Sequence, residues 1–187
     1  MLNGINTNPA MLWANTNKQA AGKPQNANFS VSSKELAPIR LDGNALVSAA
    51  MRLPGGGMMN ASVYKSANYT DDNPVMLVKG TDVDGKLFEV EINANNVDPR
   101  NASFVEMFAL DGYFAANGQQ VGAARAAGSA MVTQELSGNI PALGNAFTQF
   151  NFLPPLQDAK EVQRFHGNWE AFWHLQHVID SLMGHIR

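Results

Sequence analysis

Cysteine is absent from the 187-residue chain. That excludes a disulfide framework, thiolate zinc sites, iron–sulfur ligation and a cysteine nucleophile. Charge is scarce: Asp, Glu, Lys and Arg make up 16 % of residues, against about a quarter in an average soluble chain. The formal net charge of −3 leaves no strongly basic footprint, so nucleic acid is not an expected partner. No apolar run reaches the roughly 18 residues of a candidate membrane helix, so no span is expected. There is no dinucleotide fingerprint and no G-x-S-x-G elbow. What is present is apolar: 45 % hydrophobic residues, ten Phe and nine Met, enough to bury a core.

The first acid is Glu35, and Lys18 and Lys23 are the only cations before Ser33. Seven of the first 28 residues are Asn. Leu2, Ile5, Met11, Leu12 and Trp13 are scattered without a sustained period. Such a segment buries too little apolar surface to offset its ordering entropy. Residues 1–32 therefore read as an arm, flexible alone or ordered on a partner, and 33–187 as one α+β domain. The arm lacks the charged start and apolar stretch of a secretory signal. An acid-free, uncleaved start suits export through flagellar-type machinery; otherwise a cytoplasmic location is expected.

Helical spacing of Leu41, Ala45, Leu46, Ala49 and Ala50 predicts a helix within Ser33–Met51. It stops at Pro54-Gly55-Gly56-Gly57. That run lacks the Lys-Ser/Thr of a phosphate-binding loop and reads as a hinge or loop. Three strands are expected next: 61–69, 74–80 and 86–92. The last has clear period two, Phe88, Val90 and Ile92 facing one way and Leu87, Glu89 and Glu91 the other. Asp84-Gly85 between apolar runs is a hairpin signal. Asp82-x-Asp84-Gly85 is also half a calcium loop, but Glu91 falls in a strand and the remaining ligands are missing. A turn is the better reading.

After Asp98-Pro99, Ser103-x-x-Glu106 has capping-box spacing. Phe104, Met107, Phe108, Leu110, Tyr113 and Phe114 then form a broad apolar face, and Asn117-Gly118 ends the helix. Two stretches here, Gly80-x-Asp82-x-Asp84-Gly85-Lys86-x-Phe88-Glu89-Val90 and Val97-Asp98-Pro99-x-Asn101-Ala102-Ser103-x-x-Glu106-Met107-x-Ala109-Leu110, resemble a group of uncharacterised bacterial proteins. The resemblance covers Gly80 to Leu110. It implies a bacterial source and a shared hairpin-plus-helix core, and no activity, cofactor or catalytic residue.

The rest reads as helical: an Ala-rich helix from Gln119 to Leu136, a short one near 142–150, then one long helix over Gln157–Ile186 bent near Gly167. On the last, Phe172, Leu175, Ile179, Leu182 and Ile186 form an apolar stripe, with Trp169 and Trp173 at its boundary. Opposite the stripe, Glu170, His174 and His177 stand at i, i+4 and i+7, with His166 as a further candidate. One carboxylate and two imidazoles on one face suit a divalent ion such as zinc. The same pattern is also what any solvated helix face presents.

Two functional readings follow. The first is a non-enzymatic structural or protein-interaction protein that associates with a partner or with itself through the N-terminal arm. The second is a metal-binding enzyme or sensor using Glu170, His174 and His177. The fold expected for both is α+β: a small antiparallel sheet of about three strands packed against several helices, with a long C-terminal helix.

Overall fold

The structure is a computed structural model that describes residues 44–138 and 145–186. The arm 1–32 lies outside the described residues, as do 142–144 of the short helix expected near 142–150.

The architecture is α+β. Four strands form one antiparallel meander in the order β1 (Val47–Arg52), β2 (Met58–Lys65), β3 (Val75–Thr81) and β4 (Leu87–Asn93). The sheet thus has one strand more than the expected three, and the extra strand overturns part of the helix expected within Ser33–Met51. β1 pairs with β2 over its whole length, Val47 opposite Val63 and Met51 opposite Met59. Pairing against a neighbouring strand outweighs the modest helix preference of alanine. Val47, Ala49 and Met51 turn toward the core while Ser48, Ala50 and Arg52 are exposed. The glycine run is the β1–β2 loop, closed by Leu53 N–H donating to the Gly57 carbonyl at 2.9 Å.

β4 keeps the alternation read from the sequence: Phe88, Val90 and Ile92 are buried. They join Val63, Met76 and Val78 on the inward face, and Val63, Val78 and Val90 stand side by side across three strands. Asp82 makes the β3–β4 turn, its Oδ1 accepting from the backbone N–H groups of Asp84 and Lys86 at 3.0 and 2.9 Å. On the outward face the Ser48 and Ser62 hydroxyls meet at 2.8 Å, and Lys79 pairs with Glu89 at 3.3 Å.

Two helices cover the inward face. α1 (Phe104–Ala116) lies on β2 and β3, and α2 (Ala123–Leu136) on β1. α1 begins at the capping box its sequence announces. Glu106 N–H donates to Ser103 Oγ at 3.2 Å, and Ser103 N–H and hydroxyl both donate to Glu106 Oε2 at 2.7 Å. All of these groups are buried, so none can fall back on water. Ser103→Ala is expected to cost about 1–2 kcal/mol, measured as a lower urea midpoint at unchanged slope; a midpoint equal to wild type would show that the cap is dispensable. Phe104 and Phe108 fill the centre, and Phe104 meets Phe152 edge-on at 5.0 Å. Burying each such ring contributes about 1.5–3 kcal/mol.

The C-terminal part is helical as expected, but divided. α3 (Leu153–Phe165) and α4 (Trp169–His185) are separate helices. Gly167 takes a φ of 70°, a left-handed conformation that ends α3 and that other residues adopt at a cost. Asn168 then caps α4, its side chain accepting from Ala171 N–H at 3.4 Å. α3 and α4 pack on each other, and α3 also leans on α2.

Candidate functional site

α3 opens with Pro154 and Pro155 in its first turn, where a missing N–H carries no penalty. Leu153 and Leu156 are buried, which fixes this end of the helix in the core. The other end does not return to the core. At the α3–α4 turn, Asn168 N–H donates to the Gln163 carbonyl and its side-chain amide to Gln163 Oε1, both at 2.9 Å. Further along, Lys160 Nζ donates to Gln176 Oε1 at 3.0 Å and sits 5.7 Å from the Phe172 ring. These bonds clamp the two helices into a hairpin. Val178, Ile179 and Leu182 are the buried residues of α4, so its core contact lies in its second half.

The first half of α4 and the end of α3 present apolar rings to solvent. Phe165 is 87 % exposed, Trp169 55 % and Trp173 64 %. Trp169 and Trp173 are one turn apart on the same side of α4. Phe172 lies edge-on to both, with ring centroids at 5.8 and 5.0 Å. Phe165 meets His166 at 5.4 Å. Single exposed apolar residues are ordinary; here three large rings are exposed near the α3–α4 junction. The spacing placed the two tryptophans at the boundary of the stripe; no sequence signal singled out Phe165, which depends on where α3 ends.

The proposed metal ligands Glu170, His174 and His177 all lie on α4 and are exposed. His166 belongs to the end of α3 instead, because the break at Gly167 ends the common helical phase. Among the described residues, no group of three or more His, Asp or Glu side chains is placed to hold a metal ion. The fourth histidine has a different task. His185 Nε2 lies 2.8 Å from the Ala94 carbonyl, an acceptor, so the ring nitrogen donates. The ring also packs edge-on against Tyr113 and Phe114 at 5.5 and 6.1 Å. It fastens the end of α4 to α1 and to the 3₁₀ turn Ala94–Asn96.

Beside His185 is an open cleft of about 410 Å³, lined among others by Asn95, Tyr113, Asn117, Asp180 and Ser181.

Among the described residues the most perturbed carboxyl is Asp111, which is 5 % exposed. Burial pushes its pKa up to about 6, against hydrogen bonds from the Ala124, Ala123 and Gly122 N–H groups that favour the charged form. Its oxygens accept from Ala123 N–H at 2.6 Å and Ala124 N–H at 3.0 Å. Those are the first N–H groups of α2, whose own N-cap, Gly122, has no side chain to offer. Asp111 thus caps a helix from a different helix, a structural role. Burial also raises Asp158, which accepts from Gln134 at 2.7 Å. Arg100, bound to Asp98 at 2.7 Å, lowers the Asp98 pKa. No helix among the described residues is long and apolar enough to cross a membrane. Compared with protein-family models, curated proteins and solved structures, the chain matches none.

Proposed function

We propose that this is a non-enzymatic interaction or structural protein that associates with further copies of itself, with the N-terminal arm 1–32 as the associating segment. The observation that supports it best is the exposure of Phe165, Trp169 and Trp173 at and just after the α3–α4 turn. Aromatic side chains dominate the energetics of protein interfaces, and they are costly to leave in water. Low charge and an apolar-dotted, acid-free arm support association in the same sense. Light scattering on the full chain should show the mass rising with concentration over the micromolar range, and removal of residues 1–32 should return it to one copy. A single-copy mass for the full chain at every concentration would overturn the proposal.

The rival reading is a divalent metal such as zinc held by Glu170, His174 and His177. It draws on their shared exposed face of α4. Elemental analysis of protein purified without an affinity tag decides it: stoichiometric metal, lost in His174→Ala, would move the function to this face.

A further inference from the structure

We infer that the α3–α4 aromatic turn is the surface that receives the N-terminal arm of a second copy, with Met11-Leu12-Trp13 as the inserted segment. The inference rests on the self-association reading and names the receiving site.

The first support is electrostatic. α3 and α4 carry two cations among their described residues, Lys160 and Arg164, and both approach Glu161, at 3.8 and 2.7 Å. Glu170, one residue from Trp169, and Asp180 make no ion pair among the described residues. Glu170, beside the turn, is thus a carboxylate without a cation of its own, and Asp180 is a second one nearly three turns further along α4. The arm has the opposite balance: Lys18 and Lys23 and no acid before Glu35. Lys18 is five residues past Trp13, so in extended chain it reaches roughly 17 Å beyond the anchor, enough to span from one end of the turn to the acids of α4.

The second support is chemical kind. Met11-Leu12-Trp13 is the densest apolar run of the arm, set between short polar and Ala residues. An aliphatic–aromatic triplet suits contact with exposed rings. Edge-to-face contact adds to the area term, and methionine sulfur sits favourably against aromatic rings. All three tryptophans of the chain, Trp13, Trp169 and Trp173, fall in these two places.

The third support is reach. Forty-three residues precede Asn44, where the described chain begins. Of these, the 31 residues from Trp13 to Asn44 span at most roughly 110 Å when extended, more than the width of a domain of this size, so Trp13 can reach a neighbouring copy.

The test is the association constant of the full-length chain, from sedimentation equilibrium, for wild type, Trp13→Ala and the double variant Trp169→Ala/Trp173→Ala. Both tryptophans of the turn are more than half exposed, so folding should be unaffected; Phe165→Ser is the second variant should the double one fail to fold. Each change is expected to weaken association at least tenfold. Combining Trp13→Ala with the double variant should add little to the loss, because both remove the same contact. In a Trp13→Phe background, acrylamide quenching of Trp169 and Trp173 should fall as the protein is concentrated. Association that disappears on deleting 1–32 yet survives both Trp169→Ala/Trp173→Ala and Phe165→Ser would overturn this site and leave self-association standing. A full chain that stays single at every concentration would overturn both.

Discussion

Gly112→Val is expected to lower the stability of the fold by about 3 kcal/mol, roughly 10 °C in melting temperature for a chain of this size. Gly112 sits in the middle of α1 where the helix crosses β2 and β3. A Cβ there would overlap Val63 Cγ1 and stand 3.0 Å from both Val63 Cβ and the Met76 methyl. Val63 is fully buried in an interior strand, and its β-branch leaves few rotamers to escape into. The helix must therefore lift from the sheet. Gly112→Ala poses the question more finely, because alanine improves helix propensity by up to about 1 kcal/mol. A net loss of about 1–2 kcal/mol would show that close approach outweighs propensity. The pair Gly112→Ala/Val63→Ala should lose less than the two single changes added together, since each relieves the other. A Gly112→Val protein melting with wild type would mean that α1 does not lie this close to the sheet.

Asp111→Ala is expected to cost about 3 kcal/mol, because the Ala123 and Ala124 N–H groups would be left buried without an acceptor. Asp111→Asn keeps the shape but turns an amide N–H₂ toward one of the two donors, so a smaller loss is expected. The pair of variants also isolates a pH effect. The folded-state pKa of about 6 lies above the ordinary 3.8, so the folded protein holds this proton more tightly than the unfolded chain. The resulting stability is complete below about pH 4 and is lost as pH rises through about 6. Wild type should exceed Asp111→Asn by more at about pH 4.5 than at about pH 7.5. Asp158 acts in the same direction in both proteins. Asp98 acts in the opposite one, its share vanishing only as pH falls below the usual carboxylate range. Both cancel in the difference. An equal margin at the two pH values would remove the titration from Asp111.

These two sites differ in how far a sequence reader could have seen them. The capping box, the stop at Asn117-Gly118, the Asp-Gly turn and the alternation of β4 are local, and each was readable from a few adjacent residues. The β1 region reads as helix from sequence because Leu41, Ala45, Leu46, Ala49 and Ala50 keep helical spacing. The partner that decides between helix and strand, β2, lies beyond the glycine loop. The single long C-terminal helix failed at His166-Gly167-Asn168. A bend was visible in Gly167, but the complete break requires the cap that Asn168 supplies. That break separated His166 from the other histidines and brought Phe165 to a surface turn. Nothing in the sequence marks Asp111 as the cap of α2, since donor and acceptor lie on different helices.

The β1-β2-β3-β4 order bears on how the chain acquires this shape. Each strand after β1 pairs with the one before it, across connections of five to nine residues, so each pairing closes a short loop at small entropic cost. Most strand contacts are therefore near in sequence, the condition under which β structure forms quickly. During synthesis the whole meander emerges before α1 does. Until α1 arrives, Val63, Met76, Val78 and Val90 have no cover. The nascent sheet is then a ribbon with one apolar side, and the short path from β4 through the Ala94–Asn96 turn to Ser103 sets how long that side stays open.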